Sequence, residues 1–560
     1  MQDSPDSSHG FRVGQRVHSS GDSRRIGTVK YVGPVEGYSG TWVGVDWDNG
    51  EGKHDGSING VRYFHAKSER SGSLVRAPNL SQGISLLEAL EKRYRSKSTS
   101  DEEADEMYVL STSNNRVSIQ LVGKDKIQDK LSRFEELTNA SLAYMGVSFP
   151  GIPYQINTTV PNMKELDLTG NLLSDWKMET KTSNPNFLSY WLSFPSIHLL
   201  ESSLDVGKIC GQLPALQALN LSNNLMSPYK SELPPLESIS ILVLNNTGVD
   251  WEQVELLRQS LTAIAELHLI RNNISRVLPM SSSFVQGFNS LRLLNLDDNC
   301  IAEWDEVMKL SQLRCLEQLY LDKNCLNSIL YPDNGQQNEL EATSYKPFQN
   351  LHCLLLGDNN IGDLVSIDSL NLFPNLVETR LSENPIADST SGGVPRFVLI
   401  ARLAKIKVFN GSEVTPRERK DSEIRYVRLV ISRLHANAEE IKQHPRFSEL
   451  KSLYGIEDER PSTGASGPQT IGSGFLSITL KCVGASMGEK QPLTKKLPAT
   501  ATVGKLKFLC ESFFKLKSLK LKLFLQEEGS PLPVLLDNDT SSLMDLGIGN
   551  ESIILVDEES

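Results

Sequence analysis

Eight times between residues 166 and 384 the chain returns to one short phrase, and a chain that repeats itself at a fixed interval is built to stack on itself. The phrases are LDLTGN, LNLSNN, LVLNNT, LHLIRN, LNLDDN, LYLDKN, LLLGDN and TRLSEN, ending at Asn171, Asn224, Thr247, Asn272, Asn299, Asn324, Asn359 and Asn384. Successive ends lie 23 to 27 residues apart, apart from one gap of 53 and one of 35. The first gap implies a degenerate unit around residues 197–203, and the second a repeat with an insertion near 331–345. The two apolar positions of each phrase point inward from a short parallel strand, and the asparagine amide satisfies backbone groups where the chain turns off it. Stacked units then share one core. The asparagines are therefore structural, and any function lies on the residues flanking and separating the leucines.

This pattern is identified as that of leucine-rich repeats, an α/β solenoid, here spanning 111–430 with a C-terminal cap. The cap is read at 394–428, where helical apolar spacing leads into FNGSEVTPRER and a charged helix, because an end repeat must cover its leucines. Glu165, Asp167, Asn220, Glu266, His268, Asn295, Asp297, Gln318, Tyr320, Asp322, Glu378 and Arg380 are expected on the concave face. Individually such charges form a solvated face; Glu266, His268, Asn295, Asp297, Gln318 and Tyr320 are the candidate partner-binding group.

Ahead of the repeats, residues 52–64 read GKHDGSINGVRYF. Gly52, Gly56 and Gly60 suit a chain bent tightly enough to present bare backbone N–H groups to a ligand, with the Lys53 charge beside them. RIGTVKYVG and TWVGVDWDNG upstream read as strands, the second entering an Asp-Asn-Gly turn. The segment resembles the CAP-Gly domain, a small β-module whose motif is matched at Gly52, Lys53, Asp55, Gly56, Ser57, Gly60, Tyr63 and Phe64, with His54 where asparagine is commoner. The resemblance implies a groove for acidic C-terminal tails, with Trp47, Gly52, Lys53, His54, Asp55, Gly56, Ser57, Tyr63 and Phe64 as candidate tail-binding residues. Trp42 is assigned to the core, Trp47 and Phe64 to a groove lining an aromatic side chain of the ligand. His54 and His65 have no cysteine pair at zinc spacing, so no metal is expected.

The module is assigned to 1–80, a helix and linker to 81–110, and the Ser/Asp/Glu-rich stretch 97–106 is expected to tether it with some reach. A helix and flexible linker occupy 431–474, with a Pro/Ser/Gly segment at 460–474. Residues 475–560 then run strand, strand, helix, strand, strand, with Thr502 as helix cap. That order resembles the ubiquitin-like β-grasp fold, α+β, ending in VDEES without the Gly-Gly tail that conjugation requires. Its lysines at 505, 507, 515, 517, 520 and 522 make it locally basic.

With 560 residues the chain is expected to be multidomain, and a net charge of −12 argues against nucleic acid or an anionic membrane as the main partner. No run approaches the roughly 20 apolar residues that span a bilayer, and no signal region is read at the N-terminus. The seven cysteines show no C-x-x-C pair and are expected reduced. No phosphate-binding G-x-x-x-x-G-K-S/T loop and no nucleophile beside a base is legible, so neither enzyme activity nor a cofactor is expected.

The order of the three modules is similar to that of the tubulin-folding cofactor family. The resemblance implies a cytoplasmic, cytoskeleton-associated chaperone that takes α-tubulin, and works with other tubulin-folding cofactors to assemble or dismantle the αβ-tubulin heterodimer. The ubiquitin-like domain adds the proteasome as a candidate partner. Two other readings stand beside it: a microtubule-associated scaffold, and an adaptor linking tubulin to ubiquitin-dependent proteolysis.

Overall fold

The computed structural model describes residues 10–95, 108–110, 116–118, 129–152, 154–174, 176, 206–227, 236–277, 283–332, 346–388, 393–433, 443–456 and, from 475 to 558, all but a few loop positions. The expected linkers at 97–106 and 460–474, the degenerate repeat at 197–203 and most of the insertion at 331–345 lie outside the described residues. The chain divides into two compact units, residues 1–300 with 312–316, and 301–311 with 317–560.

In the first unit, β-branched and aromatic residues form an antiparallel sheet from β1 (Arg16–Ser19), β2 (Asp22–Val35), β3 (Tyr38–Trp47), β6 (Gly72–Val75) and β7 (Leu80–Ser81), in the order β6-β3-β2-β1-β7. Between them, β4 (Ser57–Ile58) and β5 (Val61–Arg62) make a small hairpin on Asn59 and Gly60, both at positive φ. Val17, Val29, Val43, Val45, Trp47 and Leu80 form the core. The buried Arg16 guanidinium is held by Asp48 and by Thr28 Oγ1.

The chain leaves this module already paired to the repeats. Ile84–Ser85 runs parallel to Val147–Phe149, and the Ile84 N–H donates to Gly146 O at 2.8 Å. Helix α1 (Leu86–Tyr94), capped by Ser85 Oγ, buries Leu86, Ala89 and Leu90, at the i, i+3, i+4 spacing of one helical face. Arg95 lies over the Phe134 ring at 3.9 Å. The expectation of a tethered module is thereby corrected: the sheet pairing and helix packing are complete by residue 95, before the stretch of linker composition begins.

The repeat strands follow in parallel register: Asn139–Ser141, Glu165–Asp167, Ala218–Asn220, Ile241–Val243, Glu266–His268 and Leu293–Asn295. One column, Leu166, Leu219, Leu242, Leu267 and Leu294, is wholly buried, and Ala140 continues it into a strand the leucine pattern does not reveal. The asparagine ladder behaves as the repeat requires. Asn299 Nδ2 donates to the Leu269 and Leu296 carbonyls while its Oδ1 accepts the Asn272 and Ile274 N–H groups. At Thr247 a hydroxyl bonds the Leu244 carbonyl instead.

In the second unit, Gln318–Tyr320, Cys353–Leu355, Glu378–Arg380 and Val408–Phe409 run in parallel, closed by the antiparallel Ser412–Glu413. Three helices, Arg396–Arg402, Pro416–Arg433 and Phe447–Tyr454, then pack about Phe397, Tyr426, Val430 and Leu450. The repeat cap thus includes the helix at 447–454, beyond the boundary read at 430. Arg402, almost fully buried, is matched by the Asp368 carboxylate at 2.5 Å, as a buried charge demands.

The C-terminal sheet has the order Leu493–Pro498, Phe475–Cys482, Ile553–Glu558, Leu521–Gln526, Val534–Leu536, with Phe475–Cys482 and Ile553–Glu558 parallel. The helix Val503–Phe514 crosses it, with Thr502 Oγ1 accepting from Lys505 N at its start. This is a β-grasp. Alternate residues of its central strands, Ile478, Leu480, Leu523, Leu525, Ile554 and Val556, point inward and fill the core beneath that helix.

Candidate functional site

The GKHDG segment folds against its own sheet. The Lys53 and His54 N–H groups donate to Gly72 O at 2.7 and 3.1 Å, and Gly72 N–H returns a bond to His54 O at 2.8 Å. The Gly56 N–H donates to His54 Nδ1 at 3.0 Å and the Ser57 N–H to Asp55 Oδ1 at 3.0 Å. The reading of bare amides presented to a ligand is corrected: these donors are spent internally. Glycine is needed because the approaching backbone is the chain's own. A Cβ on Gly52 would meet the Ser71–Gly72 backbone, and one on Gly56, at φ +99°, would overlap the Phe64 carbonyl.

Phe64 is buried and seated on glycines. A Cβ at Gly44 would stand 2.6 Å from its ring and one at Gly72 3.1 Å away. Trp47, at 3% exposure, belongs to the valine core, with Arg25 over its ring at 4.6 Å. The assignment of these two rings to a groove lining is corrected for Trp47, and Phe64, at 6% exposure, keeps little surface to line one. Trp42 departs in the opposite sense: it is half-buried, with Arg76 over it at 3.8 Å and the exposed Tyr38 at 5.7 Å. Strand alternation explains the exchange, since Val43, Val45 and Trp47 share one face of β3 and Trp42, Gly44 and Asp46 the other.

On that other face lie Trp42, Tyr31 and, through Gly44, Phe64; Tyr63 stands edge-on to Tyr31 at 5.4 Å. The Tyr63 hydroxyl accepts the Glu36 N–H at 2.9 Å, which fixes its ring. Tyr31 and Tyr38 are the residues that sequence reasoning missed, and Trp42 the one it assigned to the core. In the same module Lys53, Arg62, Lys67 and Arg70 are exposed. Residues 13–80 contain nine Lys and Arg against seven Asp and Glu, a positive balance within a chain of net charge −12. Asp55 is paired with Arg62 at 2.7 Å, and that bond holds its carboxyl below the usual carboxylate range. Burial lowers the His54 pKa, so the ring is neutral near pH 7, with Nδ1 free to accept from Gly56. An asparagine carbonyl would fill the same acceptor role.

The concave-face candidates divide between the units. In the first, His268 Nε2 lies 3.8 Å from Glu266 Oε2, and burial lowers the His268 pKa. His268 pairs in register with Asn295, but Asn295 is buried, with its Oδ1 taken by the Asp297 N–H at 2.9 Å. Its assignment as an open contact is corrected. Gln318 and Tyr320 lie in the second unit, where the Tyr320 hydroxyl donates to Gln318 Oε1 at 2.6 Å. Among the described residues no group of three or more His, Cys, Asp or Glu is placed to hold a metal ion, and no helix is long and apolar enough to cross a membrane.

A glycine-built β-module, a leucine-rich-repeat solenoid and a β-grasp domain on one chain define the class. Residues 13–80 match the CAP-Gly domain family. The chain is 61% identical to tubulin-folding cofactor E of Arabidopsis thaliana, over 99% of each chain, and 30% identical to tubulin-specific chaperone E of Danio rerio, over 97% of this chain and 98% of that one. A solved structure, the C-terminal ubiquitin-like domain of mouse tubulin-specific chaperone e, aligns with 17% of this chain and 96% of its own at 30% identity, with a TM-score of 0.14. The chain belongs to the tubulin-folding cofactor E family.

Proposed function

We propose that this chain is a tubulin-folding chaperone that works by binding, with the first module holding the acidic tail of α-tubulin. The observation that carries the reading is the pairing, within one positively balanced module matched to the CAP-Gly family, of the Trp42, Tyr31 and Tyr63 aromatic face with the exposed Lys53. An acidic, aromatic-ended peptide fits that combination: its carboxylates meet Lys53 and Arg70, and its ring packs against the aromatic face. The repeat sheets take the globular body of the same subunit, in the first unit through Glu266 and His268. Two sites on one chain raise apparent affinity by effective concentration, without a new contact.

Splitting a tight αβ-tubulin heterodimer requires a captor that holds the separated subunit with comparable free energy. Two sites supply that more readily than one peptide groove. The chain acts stoichiometrically in the cytoplasm, with other tubulin-folding cofactors, and GTP hydrolysis belongs to tubulin. Mixing the purified chain and its partner cofactors with soluble dimers at rising ratio, and following the heterodimer by native gel, tests this. The dimer band is expected to fall in proportion to added chain; a band unchanged at saturation overturns the chaperone reading.

A further inference from the structure

The repeat sheet of the first unit carries a hollow of about 300 Å³ that the leucine pattern gives no hint of. Its cause is a size mismatch along one row. Glu165, Ala218 and Ile241 stand in register on adjacent strands, as do Asp167, Asn220 and Val243. Alanine is the smallest of the first three, so the surface dips at Ala218 between taller neighbours. Ile241 and Val243 are half-buried and form an apolar wall to the dip, while Asn139 and Ser141 leave its far end low.

Charge sets the sign of what fits there. Glu165 and Asp167 line the hollow, no Lys or Arg among the described residues does, and Glu266 stands next to Ile241 on the following strand. Asp167 is fixed in place, its Oδ1 accepting the Thr169 N–H at 3.0 Å and its Oδ2 the Ser141 hydroxyl at 2.8 Å. His268, beside Val243, has its pKa lowered by burial and adds no compensating positive charge near pH 7. An apolar floor with a one-signed acidic rim selects an apolar side chain flanked by cations.

We infer that this hollow is a second peptide-recognition site, opposite in charge preference to the first module, and that it takes a protein segment in which one aliphatic or aromatic side chain is flanked by Lys or Arg. The side chain fills the dip over Ala218 against Ile241 and Val243, and the cations meet Glu165 and Asp167. This site does not depend on the tubulin reading, because its partner is defined by its own chemistry.

The test uses the full-length chain carrying Lys53→Glu, which silences the acidic-peptide face, and pans a phage-displayed random dodecapeptide library on it. Enriched sequences should place Leu, Ile or Phe beside Lys or Arg. Synthetic copies, measured by fluorescence anisotropy, should bind the Ile241→Lys variant at least ~10-fold more weakly, as expected when a central apolar anchor site is filled by a cation that repels the flanking Lys or Arg. Glu165→Lys changes only an exposed rim charge, so it should cost about 3-fold and reduce the salt dependence of binding. Near-UV circular dichroism confirms that both variants keep the fold. No enrichment, enrichment of acidic peptides, or equal affinity for the parent and both variants overturns the proposal.

Discussion

The first module and the repeat sheets bury backbone by opposite means. Around Phe64 the chain removes side chains: Gly44, Gly56 and Gly72 let a ring and a neighbouring strand come into contact with bare backbone. Along the repeats it adds them: Asn171, Asn224, Asn272 and Asn299 each carry an amide inward to carbonyls that no strand partner reaches. In both places the residue that looks most functional is structural. A glycine cluster resembles a ligand cradle and an asparagine row resembles a polar site, yet the surfaces open to partners are the side chains between them.

Damage to either device should stay on its own side of that comparison. Asn299→Ala strands the Leu269 and Leu296 carbonyls and two N–H groups. At roughly 1–3 kcal/mol for each buried group left unpaired, partly relieved by water, the loss should reach about 4 kcal/mol. Hydrogen exchange should quicken in the Glu266–His268 and Leu293–Asn295 strands and stay unchanged in β3. Loss of protection in both regions would show the two devices to be one cooperative unit.

Phe64→Ala should cost about 3 kcal/mol, the range for deleting a buried phenylalanine. It acts through the cavity left above Gly44, so the amides of 43–47 and 72–75 should lose protection while the repeat strands keep theirs. Were peptide binding to fall with protection intact, Phe64 would be a ligand contact and not a core ring.

His54→Asn should be the mildest change, under ~1 kcal/mol near pH 7.5, because an amide oxygen can replace Nδ1 as acceptor for Gly56. Its signature is in pH. Desolvation sets the folded pKa of His54 below the ordinary 6.5, so its contribution to stability is present above that value and lost as pH falls through the folded pKa. Protonated Nδ1 can no longer accept, and Gly56 exchange should accelerate on acidification in the native chain but not in the variant. Parallel pH profiles would remove His54 from the account.

Much of this is legible from sequence wherever a local rule sets the outcome. The leucine and asparagine register, the turn at Asp48, Asn49 and Gly50, and the Thr502 cap follow from chemistry within a few residues. The first repeat strand is hidden because Ala140 stands where the pattern calls for leucine. Trp42 and Trp47 exchange roles relative to expectation although the alternation Val43, Val45, Trp47 contains the answer. Other features depend on residues far apart in the chain: Gly72 consuming the Lys53 and His54 amides, Arg402 meeting Asp368, and the early docking of 84–95. The hollow at Ala218 belongs to the same class, since it exists only once four strands are laid side by side.

The central proposal is that one chain grips tubulin at two places, by the tail through the first module and by the body through the repeats. Titrating the full-length chain with soluble tubulin, intact and with its acidic C-terminal tails removed by limited proteolysis, tests it most directly. Binding should persist without the tails but weaken by roughly 100-fold, the scale of a lost intramolecular second contact. Lys53→Glu should weaken binding to intact tubulin and leave binding to the tail-less form unchanged. Equal affinity for the two forms, or no detectable binding of the tail-less form, would contradict the account.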